Sequence, residues 1–379
     1  MKLKFGMVGG GGGGIGPMHI RGALMDFKCE LMAGCFSRDF EKNQLWATTW
    51  GLKDTNRIYP DYETMAKIEG AKTGEERLDF IIIATPNDSH HSIAKLFMEQ
   101  GFHIMCDKPL ASTVNQGEEL VRIANERDLH FGLTYTYAGY AMIRQARELI
   151  DSGELGEIVY ITAEFPQEWL SLALVESKSE NALWRLEPER AGESQATADI
   201  GTHCEYLIKA TTGLSPKRVI AKFNHIPSHL PLESNSTILL EYPNQVTGHI
   251  WVSQIAVGHE CEVRIRVICT KGSIDWNHAD EGALKVSRLS QPVQIYSAGN
   301  QYNYHESNRL RRVSPGFPEG QFEAFGNIYR SFCEDIIAKK EGRKPENYSY
   351  ATVEDGLIGL KFIQACVRSD RDNNTWIDL

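Results

Sequence analysis

Five short constellations in this chain combine residue types that carry chemistry. The first is an unbroken run, Gly9-Gly10-Gly11-Gly12-Gly13-Gly14, followed by Ile15 and Gly16. Glycine tolerates positive φ and lets a backbone approach a bound group closely, so such a run suits a pyrophosphate cradle. An apolar strand over 4–8 and a helix over 17–26 flank it, and the helix start offers free N–H groups and the positive end of its dipole. Gly9, Gly11, Gly14 and Ile15 are the candidate dinucleotide contacts, against a plainer reading of a flexible linker. The second is Ser37-Arg38, at the end of the next strand (30–36). Sites for NAD usually carry an acid there. Ser-Arg can accept a 2′-phosphate, or Arg38 can stack on adenine while Ser37 bonds a ribose hydroxyl, so NAD and NADP both stay open.

The third constellation is Thr85-Pro86-Asn87 with His90, after the fully apolar strand 80–84. It lies where dinucleotides bind, past a strand's carboxyl end, although a proline turn capping the next helix would look the same. The fourth is Cys106-Asp107-Lys108-Pro109, also just past a strand. A lysine there can reach a nicotinamide and the reacting oxygen; a solvated surface lysine is the plainer alternative. The fifth is Asp199-Ile200-Gly201-Thr202-His203. A four-residue step on a helix puts the carboxylate and the imidazole on one face, as orienter and general base. They could also ligate metal, but no third ligand stands nearby, so no metal is expected. A capping aspartate is the bland version.

These residues need a scaffold, and the rhythm of the chain supplies one. Apolar strands at 4–8, 30–36, 80–84, 103–106 and 130–133 alternate with helices at 17–26, 41–50, 62–69, 89–100 and 115–127. This predicts a doubly wound parallel α/β sheet, a Rossmann-type domain over 1–135. After Tyr135 come a helix (141–152), a strand (156–165), a helix (198–212), and then short strands at 219–223, 236–242, 246–252, 261–269 and 273–276. Residues 291–318 read as polar and irregular, and helices at 321–340 and 353–368 close the chain. The expectation for 136–379 is an α+β domain built on a large, mostly antiparallel open sheet, serving substrate binding and oligomerisation.

Composition bounds the possibilities. The 379 residues are 42% hydrophobic and 24% charged, enough for two cores. A net charge of -10 argues against nucleic acid or an anionic membrane surface as partner. The eight cysteines (Cys29, Cys35, Cys106, Cys204, Cys261, Cys269, Cys333 and Cys366) form no C-x-x-C pair, and most lie in apolar runs, as reduced thiols in a cytoplasmic protein do. The start lacks a signal-peptide pattern, and no stretch is long and apolar enough to span a bilayer.

Taken together, the motifs resemble the Gfo/Idh/MocA family (glucose–fructose oxidoreductase, inositol dehydrogenase, rhizopine catabolism). Gly16 three residues before His19, Thr85-Pro86-Asn87 with His90, Asp107-Lys108-Pro109, and Asp199-x-Gly201-x-His203 occur in the family's order across almost the whole chain. The resemblance implies a Rossmann domain holding NAD or NADP, with NAD favoured by the branch. It implies an NAD(P)-dependent oxidoreductase that moves a hydride between the nicotinamide and a secondary hydroxyl of a sugar, glycoside or cyclic polyol. Lys108, Asp199 and His203 would be catalytic, and Ser37, Arg38, Thr85, Pro86, Asn87, His90, Asp107 and Lys108 would join the glycines and Ile15 at the cofactor. A non-catalytic NAD-binding regulator and a redox-neutral NAD-dependent glycosidase are the rival readings. Thr134-Tyr135-Thr136-Tyr137, the stretch ending in Glu168-Trp169, and Trp184-Arg185 resemble a glucoside and anhydrosugar dehydrogenase branch. Tyr135, Tyr137, Trp169, Trp184 and Arg185 are therefore the substrate candidates, with core packing as the alternative for each aromatic. Two departures stand out: a longer glycine loop, and a glycine-rich run before Asp199 reduced to Gly192-Glu193-Ser194-Gln195. Apolar residues on both alternating sets of Ile238-Leu239-Leu240 and Ile250-Trp251-Val252 lead to an expected homodimer or homotetramer through the second sheet.

Overall fold

The computed structural model describes residues 1–12, 14–176 and 186–379. It divides into two compact units, Met1–Gly139 with Gln321–Leu357, and Tyr140–Gly320 with Ile358–Leu379. The chain first passes from one unit to the other after Gly139. The segment 321–357 returns to the first unit, which a single cut in the linear sequence does not express.

In the first unit, β1 (Leu3–Gly9), β2 (Cys29–Cys35), β3 (Phe80–Ala84), β4 (His103–Cys106) and β5 (Phe131–Leu133) form a parallel sheet in the order β5-β4-β3-β1-β2. The strand order reverses between β1 and β3, and the crevice beyond the strand ends there is where doubly wound sheets bind ligands. The short strand Ala351–Thr352, from the returning segment, pairs antiparallel with β5 and closes that edge. Every residue of β3 is buried, as a central parallel strand covered on both faces requires. The connecting helices are α1 (Gly16–Met25), α2 (Phe40–Thr49), α3 (Tyr62–Gly70), α4 (His90–Glu99) and α5 (Val114–Glu126). Side-chain caps set three of their starts: Asp39 accepts from Glu41 N–H, Asp61 from Thr64 N–H and Thr113 from Gln116 N–H. The returning helix Gln321–Lys340 packs on α1. A Cβ at Gly22 would lie 2.8 Å from Phe325 Cβ, so this contact needs glycine. Phe325, Ile328, Tyr329 and Phe332 of that helix are fully buried in the core with Phe5, Met7, Ile20 and Phe80.

The second unit carries a nine-stranded sheet. Its strands are β6 (Ile158–Pro166), β7 (Arg218–Asn224), β8 (Asn235–Glu241), β9 (Thr247–Ser253), β10 (Arg264–Cys269), β11 (Gly272–Asn277), β12 (Ala283–Arg288) and β13 (Gln294–Ser297), with Ile377–Asp378 at the far edge. The order β13-β12-β11-β10-β6-β9-β8-β7 is antiparallel except at the β6–β9 pair, which is parallel. Hairpins turn at Pro243-Asn244 and at Lys271-Gly272, the first with Asn244 and Gln245 at positive φ. The expectation of an irregular 291–318 is corrected, because it holds β13 and a helical turn, His305–Asn308. Exposure explains the miss: β13 is a short edge strand with no fully buried residue, so it has no apolar alternation to read. The helix α6 (Ala141–Asp151) and the helix Thr202–Thr212 cover one face of this sheet, and α7 (Trp169–Glu176) follows β6.

Candidate active site

The glycine run turns tightly between β1 and α1. Gly9, Gly10, Gly12 and Gly14 all adopt positive φ. Two kinds of glycine can be separated. A Cβ at Gly9 would lie 2.5 Å from Ala84 O, one at Gly11 2.5 Å from Phe36 O, and one at Gly16 2.0 Å from Gly10 O. These positions are glycine because backbone crosses backbone, and Gly11 N–H donates to Phe36 O at 3.0 Å. A Cβ added at Gly12 or Gly14 would meet nothing within 4 Å, so their side of the loop is open. Ile15 is the N-cap of α1 and makes no side-chain cap, Pro17 occupies the first turn, and no acid lies there. Uncapped N–H groups, an open positive-φ backbone and no competing carboxylate fit a pyrophosphate. Gly10 and Gly16 were absent from the sequence candidates, although position 16 immediately before Pro17 signalled the tight helix entry.

Ser37 and Arg38 follow β2. Ser37 Oγ accepts from Asp39 N–H at 3.2 Å, and Arg38 is exposed. At the end of β3, Thr85 Oγ1 accepts from Ser89 Oγ at 2.7 Å, and Pro86 and Asn87 lead through a 3-10 turn into α4. His90 is fully buried. Its Nδ1 faces Pro109 O at 2.7 Å and its Nε2 faces Thr85 O at 2.9 Å. The imidazole thus ties the turn after β3 to the turn after β4, which brings the third and fourth constellations together.

Asp107 closes β4, where its N–H donates to Ile83 O at 2.9 Å. Thr134 Oγ1 donates to its Oδ1 at 2.8 Å, and His19 Nε2 stands 3.8 Å from the same oxygen. Burial by itself would raise this carboxyl. The facing His19 imidazole, the adjacent Lys108 and His90 override it and hold the carboxyl well below the usual carboxylate range. At 3.8 Å, His19 acts across a gap rather than through a formed hydrogen bond. Its Nδ1 is 2.6 Å from Tyr329 Oη, so the returning helix orients the ring. Lys108 is partly buried one residue further on. Tyr135 and Tyr137 are buried in this same unit, in the stretch that follows β5.

In the second unit, the helix expected over 198–212 is present, and its first turn is wider than an α turn. A π turn, Thr197–Gly201, precedes the α-helix Thr202–Thr212, and Asp199 lies in the wider turn. Such turns recur at functional sites, and a four-residue step still closes about one turn, leaving Asp199 and His203 near one face. Both are partly exposed. The His203 ring meets Phe165 of β6 edge-on, with centroids 6.1 Å apart. Trp169 begins α7 and is half-buried. Trp184 and Arg185 lie outside the described residues.

Sequence reasoning missed the polar groups behind Asp199. Gln254, directly after β9, donates from Nε2 to Asp199 Oδ2 at 2.8 Å. Gln195 donates from its Nε2 to Gln254 Oε1. Glu233 is buried and accepts from Ser194 Oγ (2.7 Å), Thr197 N–H (2.9 Å) and Gln195 N–H (3.1 Å). Burial raises its carboxyl above the ordinary value even though these donors pull the other way. Gln254 and Asp199 are 55 residues apart, and no local pattern links them. Among the described residues, no group of three or more His, Cys, Asp or Glu is placed to hold a metal, and no helix is long and apolar enough to cross a membrane.

Comparison with known proteins adds to this geometry. Residues 3–135 match a family model described as an oxidoreductase family with an NAD-binding Rossmann fold, and residues 143–275 match a GFO/IDH/MocA C-terminal domain. The chain is 31% identical to the uncharacterized oxidoreductase YfiI of Bacillus subtilis, over 99% of this chain and 96% of that protein. It is 25% identical to the NADP(+)-dependent D-xylose 1-dehydrogenase of Haloarcula marismortui, over 78% and 74% of the two chains. An inositol dehydrogenase homolog from Azotobacter vinelandii, solved with NAD+, superposes with a TM-score of 0.93 at 32% identity, covering 100% of this chain and 98% of that one. The Azotobacter inositol dehydrogenase homolog solved with NADH and myo-inositol gives a TM-score of 0.90, also at 32% identity and with the same coverage.

Proposed function

The chain belongs to the Gfo/Idh/MocA oxidoreductase family, and from that membership we propose an NAD(P)-dependent dehydrogenase acting on a secondary hydroxyl of a cyclic polyol or sugar. The observation that carries the proposal is the glycine cradle, open at Gly12 and Gly14 beside the uncapped start of α1. The first unit holds the dinucleotide, with Gly9, Gly11, Gly14 and Ile15 at the pyrophosphate. Ser37 and Arg38 serve the adenosine ribose, and Thr85, Pro86, Asn87, His90 and Asp107 serve the nicotinamide half. The Azotobacter complexes favour NAD over NADP as the preferred coenzyme. The substrate candidates are Trp169 at the start of α7 in the second unit and Tyr135 and Tyr137 after β5 in the first.

When bound, NAD(P)+ supplies the hydride acceptor for the carbon that carries the hydroxyl. His203 takes the hydroxyl proton as general base. Lys108 hydrogen-bonds the same oxygen and stabilises its developing negative charge. Asp199 orients and charge-couples with this pair. The products are a ketone, a proton and the reduced coenzyme. Eight cysteines without a disulfide support a cytoplasmic location.

The test is reduced-nicotinamide absorbance with NAD+ or NADP+ and a panel of cyclic polyols and sugars, run on the wild type and on Lys108→Ala. The expected result is turnover with NAD+ on a cyclic polyol, and a loss of about 100- to 1,000-fold in kcat for the variant with coenzyme affinity retained. No reduction with any panel member, or a fully active variant, counts against the assignment.

A further inference from the structure

The stretch before Asp199 is where this chain departs from its family's glycine-rich pattern, and the structure shows both of the unusual side chains in use. Ser194 Oγ donates to buried Glu233, and Gln195 donates to Gln254, which donates in turn to Asp199. A glycine at 194 or 195 has no side chain with which to do either. We propose that Gln195 and Gln254 form a one-way amide relay, anchored by Glu233, that positions the Asp199 carboxylate for catalysis. The proposal rests on the reading of Asp199 as part of the catalytic set.

The direction of the relay follows from donor and acceptor chemistry. An amide has one accepting oxygen and one donating nitrogen. Gln254 meets a carboxylate on one side, so its nitrogen must face Asp199 and its oxygen must face Gln195. Turned over, it would set oxygen against oxygen at Asp199. The Gln195 nitrogen then has to point at Gln254. One ionised oxygen on Asp199 therefore fixes the orientation of both amides, and reciprocally both amides hold that oxygen in place.

The relay is also immobile where it must be. Gln254 is fully buried, its N–H donates to Ser234 O at 2.9 Å, and its carbonyl accepts from Leu170 N–H at 3.1 Å. The start of α7 and the approach to β8 thus clamp it from two sides. Gln195 is almost fully buried, its N–H donates to Glu233 Oε2 at 3.1 Å, and its carbonyl accepts from Asp199 N–H at 2.8 Å. Glu233 further accepts through its backbone from Ala196 N–H, at 3.3 Å, so one buried residue holds the whole entry to the π turn. With both backbones held by these bonds, Gln254 presents its amide to Asp199 from a fixed base, and the bond between them is charge-assisted. Gln195 and Gln254 are positioning residues, since neither is assigned to substrate or coenzyme. Supporting groups of this kind typically change activity by about 10- to 100-fold, as outer-shell partners do at other sites.

Gln254→Met keeps the length and removes the donor, and Gln195→Met breaks the relay one step earlier. Asp199→Ala and the double variant Asp199→Ala with Gln254→Met complete a cycle. The measurements are kcat and KM for a turned-over polyol, NADH affinity by fluorescence, and the thermal midpoint. Expected are kcat about 10- to 100-fold lower in Gln254→Met, a smaller fall in the same direction in Gln195→Met, unchanged NADH affinity, and no further loss when Gln254→Met is added to Asp199→Ala. Wild-type kcat in both methionine variants overturns the relay. So does an additive loss in the double variant, which marks a structural role independent of Asp199. If Asp199→Ala is itself fully active, the catalytic reading of Asp199 falls and the relay falls with it. If Asp199→Ala is impaired while the methionine variants are not, only the relay falls. Should Gln254→Met not fold, Gln195→Met alone and combined with Asp199→Ala decides by the same criteria.

Discussion

Asp107, proposed for the coenzyme site, also has a measurable part in the fold. It sits between Thr134, which donates to it, and His19, which faces it, and its carboxyl is held well below the ordinary range despite burial. A depressed folded value means the ionised form stabilises the native state. That contribution is complete above the ordinary aspartate value and is lost as pH falls toward the depressed one. Replacing Asp107 by Asn removes this titration. Urea unfolding of Asp107→Asn should show a deficit of about 2 kcal/mol at pH 7 that shrinks steadily below about pH 4. A deficit that stays constant across the acid range would mean the carboxylate's charge plays no part. His19 itself illustrates a limit of local reading. Its spacing from Gly16 is visible in the chain, but its partner Tyr329 lies 310 residues away on a helix that returns to the first unit.

At the scale of elements, the β1–α1 turn contains glycines of two kinds, which separate by experiment. Gly16→Ala places a Cβ 2.0 Å from Gly10 O, against Gly10 backbone atoms and with no flexible side chain to yield. Overpacking of this kind costs about 1–3 kcal/mol, so a lowered thermal midpoint is expected with or without coenzyme. Gly14→Ala meets open space, and its strain comes only from its φ of +64°. It should lose about 1 kcal/mol of stability, with its larger effect on coenzyme affinity. Calorimetry with and without NADH distinguishes the two. Equal effects of both variants on bare stability would refute the division. The π turn makes a related point. The apolar periodicity of 198–212 shows a helix but not its pitch, because the partners associated with the wider turn, Glu233 and Gln254, come from elements 34 and 55 residues after Asp199.

At the scale of the whole molecule, the second sheet has a face that the described helices leave open. Across it run Ile220 of β7, Leu239 of β8, His249 of β9, Thr162 of β6 and Arg266 of β10 in one register, with Trp251, Tyr160 and Ile268 in neighbouring rows. Leu239 is 45% and Ile268 41% exposed. Apolar side chains alternate there with charged pairs such as Arg264–Asp275 and Arg218–Glu241. An antiparallel sheet tolerates one wet face, but large apolar residues on it favour a covering partner. A second copy of the chain, forming a homodimer or homotetramer, is the proposed occupant. Leu239→Glu should shift the wild-type assembly toward monomers in light scattering, with little change in the fold. A wild type that is already monomeric at working concentrations would sink this proposal.

Much of the architecture was legible in the residues themselves. β3 and β4 fall at the expected 80–84 and 103–106, because a buried parallel strand reads as a short apolar run between turn residues. The glycine cradle, the turns after β3 and β4, and the Asp199–His203 spacing were likewise present as local patterns, since the backbone geometry they need is set within a few residues. Only the tertiary structure decided the rest. It returned the helix 321–340 to the first unit, joined the β3 and β4 turns through His90, and placed Gln254 and Glu233 behind Asp199. These contacts are hydrogen bonds and packing between residues dozens to hundreds of positions apart. Their energy depends on desolvation and on an alignment that exists once the chain is folded, so no short-range pattern in the sequence encodes them.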